Sequence, residues 1–334
     1  MRLRLPLSLS LVLLASLCAS SGAGAQTTLG QTLPDVPFGL NTCEYKGSWD
    51  EFQSSSASGS GYVAPTTGAI TSWSHLAGEG VGQKLIFKVF RRSGSSFTVV
   101  GRDERGLAPS TLNTFPVSIP VQAGDILGFH IFDAGAVTPS VCSYETGLLG
   151  DTLAYQEGNA ADGVSTPIQE EYAGYRLNLS ATLLPPPAVS GLSPAGGSVS
   201  GGTKVAIAGA NFASVSAVSF GSVAATGFTV DSEGQITATA PKSKTLAKVP
   251  VTVTTIAGTA TSVTTFAYEG CKVPKLKGTK LKASKKKLKK SDCKLGKLTK
   301  RKGAKAKTGK VVKQSAKPGT ILAPGSKVKL TLKP

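Results

Sequence analysis

Apolar and polar residues alternate along most of this chain in short runs, and helical patterns are scarce. From Tyr175 to Leu183 every odd-numbered residue is apolar or aromatic, and every even-numbered residue is polar. A period of two predicts a strand with one face in the core and the other in solvent. The runs Lys84–Phe90 and Ile126–Phe132 are more apolar on both faces, which predicts central strands. Gly, Ser, Pro and Asp separate these runs, so the chain is predicted to be mainly β.

The N-terminal end of the chain has the pattern of a secretory signal peptide. Arg2 and Arg4 precede an apolar run from Leu5 to Cys18, and Ala23-Gly24-Ala25 follows. These are the charged region, the hydrophobic region and the small-residue cleavage site of an export signal, with cleavage after Ala25. The run is too short to span a membrane, and no later apolar stretch approaches membrane length. We therefore expect residues 1–25 to be removed and the mature chain to be secreted, with no membrane span.

Composition divides the remainder into modules. Residues 27–184 are predicted to form an N-terminal β-sandwich of jelly-roll type, residues 185–187 a stiff proline linker, residues 187–268 a second β domain and residues 271–334 a basic domain. The first of these resembles the jelly-roll-like sandwiches common in secreted actinobacterial proteins, on motifs of low specificity.

The second module carries a recognisable motif of glycines, branched residues and one asparagine. Its spacing V-x-I-x-G-x-N-F is given by Val205, Ile207, Gly209, Asn211 and Phe212. Together with the Gly-Gly turns before it and Phe266-Ala267-Tyr268 at its end, this resembles an IPT/TIG domain over residues 187–268. The resemblance implies an immunoglobulin-like sandwich. Asn211 is expected in the left-handed backbone region, which asparagine tolerates.

The last module carries three characteristic segments, Cys271–Gly278, Gly309–Ser315 and Val328–Leu332. On these segments it resembles a PASTA domain, which implies one helix packed on a small three-stranded sheet, a small α+β unit. Thr279 is the natural N-cap of the helix, and Leu281, Ser284 and Leu288 predict its docking stripe. PASTA domains usually carry proline where Ala316 stands, so we expect a looser turn after Gln314.

Charge is concentrated in this last module. Residues 271–334 hold 23 of the 37 lysine and arginine residues and one acid, Asp292, so the rest of the chain is mildly acidic. A one-sided charge of this size attracts polyanions over a long range. For an exported protein these are cell-wall polymers rather than nucleic acid. The candidate polyanion-binding residues are four helix lysines: Lys285, Lys286, Lys289 and Lys290. The alternative is that the lysines are solvated charge without a dedicated partner.

Four cysteines remain after signal cleavage, and export permits disulfides. Four cysteines allow three connectivities, and the module boundaries favour Cys43–Cys142 and Cys271–Cys293. By the disputed chain-entropy argument, the first bridge is worth roughly 4 kcal/mol and the second roughly 3 kcal/mol.

Catalytic chemistry is nearly absent from the sequence. The two histidines, His75 and His130, have no nucleophile in a recognisable context, and no G-x-S-x-G elbow occurs. His130 is interpreted as a hydrogen-bonded strand residue, with a ligand or base as the alternative. We predict no enzyme activity, no cofactor and no metal site.

Two other groups of residues leave alternatives open. The acidic residues of the sandwich fall in apparent loops, where they either hold a structural calcium or are solvated charges: Asp103, Glu104, Asp133, Glu145 and Asp151. The aromatic residues either stack on sugars or fill the core, and the core is favoured for Trp73: Tyr45, Trp49, Tyr62 and Trp73.

The sequence thus predicts a secreted, non-enzymatic modular surface protein. The PASTA resemblance implies binding to uncrosslinked peptidoglycan and muropeptides, the lysines add attraction to anionic wall polymer, and the TIG-like module is a spacer. Two alternatives stay open. One is a glycan-active enzyme with the N-terminal sandwich as its catalytic or carbohydrate-binding domain. The other is an adhesin whose TIG-like module contacts a protein partner.

Overall fold

A computed structural model describes residues 26–32, 40–42, 48–57, 61–132 and 141–334. The predicted signal peptide, residues 1–25, lies outside the described residues, as do Cys43, Tyr45 and Asp133.

The N-terminal domain is built from antiparallel strands in three sheets. Its strands are β1 (Thr27–Gln31), β2 (Leu40–Thr42), β3 (Trp49–Ser55), β4 (Gly68–Leu76), β5 (Lys84–Ser93), β6 (Ser96–Gly106), β7 (Leu112–Val121), β8 (Ile126–Ile131), β9 (Val141–Glu145), β10 (Thr152–Glu157), β11 (Ser165–Pro167), β12 (Glu170–Ala173), β13 (Tyr175–Leu177) and β14 (Leu179–Leu184). The sheet orders are β1-β14-β4-β7, β11-β6-β5-β8-β3-β10-β12 and β13-β9-β2.

The sandwich core lies between the four-stranded and seven-stranded sheets. Trp73 and Ile70 from the first sheet share one cluster of buried side chains with Phe87, Val89 and Phe129 from the second. The two runs that are apolar on both faces, now β5 and β8, are neighbours at the centre of the seven-stranded sheet, as predicted. Their second face is covered as well, because residues 158–168 cross over it and enclose a smaller cluster around Phe52 and Phe90.

The prediction of one half-exposed strand from Tyr175 to Leu183 is wrong. The run divides at Asn178 into β13 and β14, which belong to different sheets. Arg176, predicted to face solvent, is buried, because its guanidinium forms an ion pair with Asp151 at 2.9 Å. Asn178 marks the break: its side-chain amide donates to the carbonyl of Leu76, and its backbone N–H donates to that of Cys142.

The second domain is an immunoglobulin-like sandwich. Its strands are β15 (Ala188–Ser193), β16 (Gly196–Ser198), β17 (Lys204–Ala210), β18 (Val215–Phe220), β19 (Val223–Ala224), β20 (Gly227–Ser232), β21 (Gln235–Thr239), β22 (Lys248–Val249), β23 (Val251–Thr255), β24 (Gly258–Thr261) and β25 (Phe266–Glu269). They form the sheets β15-β17-β21-β20, β16-β25-β22 and β19-β18-β23-β24. Val205, Ile207 and Phe212 lie in the shared core, and Asn211 has the expected left-handed backbone, with φ of 58°.

The C-terminal domain has one helix on a three-stranded sheet. Its elements are β26 (Cys271–Lys272), α1 (Leu281–Lys290), β27 (Lys294–Lys300), β28 (Lys310–Gln314), β29 (Ile321–Leu322) and β30 (Lys327–Lys333). The sheet order is β27-β30-β28, with β27 parallel and β28 antiparallel to β30, and β26 pairs with β29 beside it. Leu281 and Leu288 share a core with Val328, Leu330 and Leu332, so α1 covers the inner face of this sheet.

The joints between domains are packed. At the first joint the side-chain amide of Asn211 donates to the carbonyl of Pro186 at 2.9 Å, and Leu184 lies in an apolar cluster with Ala257. At the second joint Ile321 of the C-terminal domain packs against the core of the immunoglobulin-like sandwich. The proline linker is therefore held by contacts on the second domain.

We expect Cys271 and Cys293 to be linked in the mature protein, as the structure shows them. Mass mapping of non-reduced peptides should recover this pair. Removing the bridge in a Cys271→Ala/Cys293→Ala variant should lower the free energy of unfolding of the C-terminal domain by roughly 3 kcal/mol, because the unfolded chain gains freedom. A bridge from either cysteine to the N-terminal domain would contradict the domain organisation.

Cys142 is also disulfide-bonded, and its predicted partner Cys43 lies outside the described residues.

Candidate polyanion-binding site

Helix α1 begins at Leu281, one residue later than an N-cap at Thr279 predicts. The N-cap is Lys280, without a side-chain cap, so the prediction of Thr279 as N-cap is wrong. The Thr279 hydroxyl instead donates to the carbonyl of Leu276 at 2.6 Å and lies 2.7 Å from the hydroxyl of Ser284. The predicted docking stripe of Leu281, Ser284 and Leu288 is confirmed, since all three are buried.

The turn after Gln314 is tied down rather than loose. The Gln314 amide nitrogen donates to the carbonyls of Pro274 and Ala316, and its amide oxygen accepts from the N–H of Leu276. These three bonds join the start of the domain to this turn, and they hold it although alanine replaces the usual proline at position 316.

The four helix lysines of the predicted site are all exposed: Lys285, Lys286, Lys289 and Lys290. Lys285/Lys289 and Lys286/Lys290 stand at i,i+4, where like charges repel by a few tenths of a kcal/mol. The last turn, however, contains Lys287, Lys289 and Lys290 and no acid. Cations there interact favourably with the negative end of the helix dipole, so part of this charge has a structural reason.

A second set of lysines lies on the other side of the core. These residues flank the buried and half-buried positions of the sheet and lie on the face opposite α1: Lys294, Lys297, Lys310, Lys313, Lys327, Lys329 and Lys333. We name this set the sheet lysine face. The sequence indicates this face in Lys327-Val328-Lys329-Leu330, where lysines alternate with core residues. Only the helix lysines, however, were predicted as the binding site.

Strand register sets like charges opposite one another on this face. Lys294 pairs with Lys327 across the β27–β30 ladder, and Lys310 pairs with Lys333 across the β28–β30 ladder. Like charges directly opposite destabilise a sheet. The eight ion pairs found among the described residues all lie in the N-terminal domain, so no carboxylate offsets the charge of the sheet lysine face there.

His130 belongs to a buried polar network on the second face of the seven-stranded sheet. Its Nδ1 lies 2.9 Å from the Asp50 carboxylate, which also accepts from the Lys88 ammonium at 2.6 Å and from the N–H of Ala160. Lys88 donates further to the side-chain oxygen of Asn159 and the carbonyl of Ala160. Burial lowers the pKa of Lys88, and the hydrogen bond and charge of Asp50 oppose that shift. His130 is thus a hydrogen-bonded strand residue, as interpreted.

The other histidine is equally enclosed. His75 is fully buried, and its Nδ1 lies 2.7 Å from the backbone carbonyl oxygen of Asn178. Burial lowers the pKa of His75 to about 4, so the ring is neutral at ordinary pH.

Of the four aromatic residues weighed for sugar stacking, the three that the structure describes lie in the core. Trp73 is buried, stacks on Phe87 and donates its indole N–H to Asp103 at 2.8 Å, which confirms the core interpretation. Tyr62 is buried and donates to the carbonyl of Leu177, and Trp49 is also buried. Neither offers a ring to an external sugar.

Of the acidic residues weighed for calcium, those that the structure describes are not brought together in a metal-binding group. Asp103 and Glu104 belong to strand β6 rather than a loop, because Ser96–Gly106 continues the hairpin with β5. Asp103 accepts from Trp73 and Arg105, and Asp151 is paired with Arg176. Within the described residues no group of three or more His, Cys, Asp or Glu side chains could hold a metal ion.

Glu51 is a buried carboxyl that sequence reasoning missed. It points to the sandwich core, where the Tyr172 hydroxyl hydrogen-bonds it, and burial raises the pKa of Glu51 to about 8. Its strand carries two adjacent acids, Asp50 and Glu51, and alternation shows only that they face opposite sides of the sheet, not which side closes over each.

Family comparisons match the two C-terminal domains. The family model of the IPT/TIG domain matches residues 187–268, and that of the PASTA domain matches residues 272–334, which confirms both resemblances and their order. No curated protein matches the chain. Among the described residues no helix is long and apolar enough to cross a membrane. The two domains and the disulfide fit a modular extracellular or cell-surface protein.

Solved structures match at low similarity. The extracellular region of plexin A4 is 18% identical, with a TM-score of 0.22 over 61% of this chain and 18% of that chain. SGBP-B from a complex xyloglucan utilization locus in Bacteroides uniformis is 17% identical, with a TM-score of 0.23 over 60% of this chain and 46% of that chain. The chain therefore spans less than half the length of either protein.

Replacing Asp50 by alanine should lower the free energy of unfolding of the N-terminal domain by about 3–5 kcal/mol, because Lys88 would be left buried without its counter-charge. Urea unfolding followed by tryptophan fluorescence measures this selectively, since both tryptophans of the chain, Trp49 and Trp73, lie in this domain. The matched control is Glu171→Gln, which breaks the partly exposed pair with Arg92 and should cost about 1 kcal/mol or less. Equal effects of the two substitutions would show that the buried network is not a stabilising unit.

The stability of the N-terminal domain should fall as pH rises from about 4.5 to 8, through the titration of Glu51. In this window the unfolded chain releases the Glu51 proton at its ordinary pKa, while the folded protein keeps it until the raised pKa of about 8. The loss should be on the order of a few kcal/mol. Urea unfolding of the protein and of Glu51→Gln across this range checks it: the stability of the variant relative to the parent should increase with pH. Parallel profiles would contradict the titration of a buried carboxyl.

Proposed function

We propose that this chain is an exported, non-enzymatic surface protein held at the bacterial cell wall by its C-terminal domain. That domain binds peptidoglycan or the anionic polymer attached to it. The immunoglobulin-like domain is a spacer, and the N-terminal sandwich faces outward.

The observation that carries the proposal is the exposed, unpaired charge of residues 272–333. Every lysine there is exposed, and none forms an ion pair with a carboxylate among the described residues. Such a surface has a strong positive potential, which draws in an anionic polymer and weakens as salt screens it. The PASTA match supports the same direction, because PASTA domains are associated with peptidoglycan.

The burial of both histidines supports a non-enzymatic role for the N-terminal domain. His75 and His130 are enclosed and hydrogen-bonded inside the sandwich, out of reach of a substrate on its surface. The described tryptophans and Tyr62 are core residues as well. Neither group supports the alternative of a glycan-active enzyme.

Cosedimentation with purified peptidoglycan, with and without its teichoic acid, tests the proposal. The mature chain should pellet with wall material that carries teichoic acid at low salt. The bound fraction should fall steeply between 0.1 M and 1 M salt, as the Debye length shrinks from about 10 Å to about 3 Å. A chain truncated before Cys271 is the control and should stay in solution.

The same assay separates the two wall ligands. Binding that survives high salt and is lost when Cys271–Cys293 is reduced indicates a shaped peptidoglycan site that depends on the folded domain. Failure of the mature chain to bind any wall fraction at low salt would overturn the proposal.

A further inference from the structure

We infer that the anionic ligand binds to the sheet lysine face, and that it is a linear polymer of phosphodiesters of the teichoic type. The inference rests on the proposed function and goes beyond it. It moves the site from α1 to the outer face of the β27-β30-β28 sheet and commits to one ligand chemistry.

The lysines of this face are held in a fixed array. Strand β30 contributes Lys327, Lys329 and Lys333, and it is flanked by hydrogen-bonded strands on both sides. Adjacent strands lie about 4.8 Å apart, and alternate residues of one strand about 6.6 Å apart. Val328, Leu330 and Leu332 fix the opposite face in the core. The array is therefore a set of rows whose backbone spacing does not depend on any ligand.

The charge of this face lacks the structural reasons that apply elsewhere in the chain. On α1, lysines of the last turn offset the helix dipole. In the N-terminal sandwich, surface cations face carboxylates, as Arg92 faces Glu171 and Arg102 faces Asp162. On the sheet lysine face, lysine faces lysine at Lys294–Lys327 and Lys310–Lys333. An external polyanion is the group that would relieve this repulsion.

The chemistry of the face selects a phosphate-rich ligand. Residues 271–334 contain no aromatic residue, so stacking on sugar rings, the usual recognition of neutral glycans, is not available. Thr299 and Thr331 pair across the β27–β30 ladder, with Thr331 between Lys329 and Lys333 along β30, and they add hydroxyl donors. Lysine is a compact point charge that suits phosphate without demanding bidentate geometry. A flexible chain of phosphodiesters can place successive charges along such rows.

The test compares two variants of the mature chain that lose the same charge. One carries Lys294→Gln, Lys327→Gln, Lys329→Gln and Lys333→Gln on the sheet. The matched control carries Lys285→Gln, Lys286→Gln, Lys289→Gln and Lys290→Gln on the helix. Titration with a synthetic glycerol-phosphate oligomer at 0.1 M salt measures affinity, and repetition across salt concentrations gives the number of counterions released.

The sheet variant should bind the oligomer at least about tenfold more weakly and show a shallower salt dependence, since four of the seven lysines of the face are gone. The helix variant should keep the affinity within about threefold, because its charges act only at a distance. Calorimetric unfolding of the free proteins should show the sheet variant at least as stable as the parent chain, since cross-strand repulsion is removed. This outcome distinguishes lost contacts from lost folding.

Equal losses in the two variants, or a larger loss in the helix variant, would overturn the inference and leave the wall-binding proposal intact. No binding of the oligomer by the parent chain would also overturn it. The cosedimentation with purified peptidoglycan tests the proposed function independently of the oligomer titration. Inorganic phosphate serves as a further probe: competition at concentrations where chloride has no effect supports the ligand assignment, and competition no stronger than that of chloride would overturn it.

Discussion

Repulsion among lysines is the constraint on which the C-terminal domain depends. A domain with 23 basic residues and one acid must hold its charges at fixed distances without internal counter-charges. It does so with a small core from Val328, Leu330 and Leu332 against α1, the Cys271–Cys293 bridge and the three hydrogen bonds of Gln314. Apolar burial and covalent closure do not weaken with salt, whereas the repulsion they oppose does. The fold is therefore least strained where counterions or an anionic polymer surround it.

The N-terminal sandwich handles charge in the opposite manner. Its buried charges are paired inside the molecule: Asp50 with Lys88, and Asp151 with Arg176. The opposite charges of each pair neutralise one another inside the molecule and leave little charge for an external partner. Opposite charges thus attract one another inside the first domain, whereas like charges repel one another on the surface of the last.

The sequence predicts the classes of the domains better than the contacts between strands. Apolar residues on both faces identified β5 and β8 as central strands, and motif spacing identified the IPT/TIG and PASTA domains. Alternation failed at Tyr175–Leu183, because the buried partner of Arg176 lies 25 residues away in sequence and could not be foreseen. For the site, the run of lysines on α1 is visible in the sequence. The pairing of Lys294 with Lys327 on the sheet lysine face follows only from the strand register.

The position of the disulfide also has a mechanical consequence. In the proposed wall-bound arrangement, a pull on the outer end transmits tension along the backbone, through the second domain into Cys271. From there the load can pass across the bridge to Cys293 and directly into β27, the edge strand beside β30. Residues 272–292, with the whole of α1, form a covalent loop outside that path. The lysine-rich helix of ten residues, whose i,i+4 lysines repel one another, is thereby shielded from load, which falls on the parallel β27–β30 pairing instead.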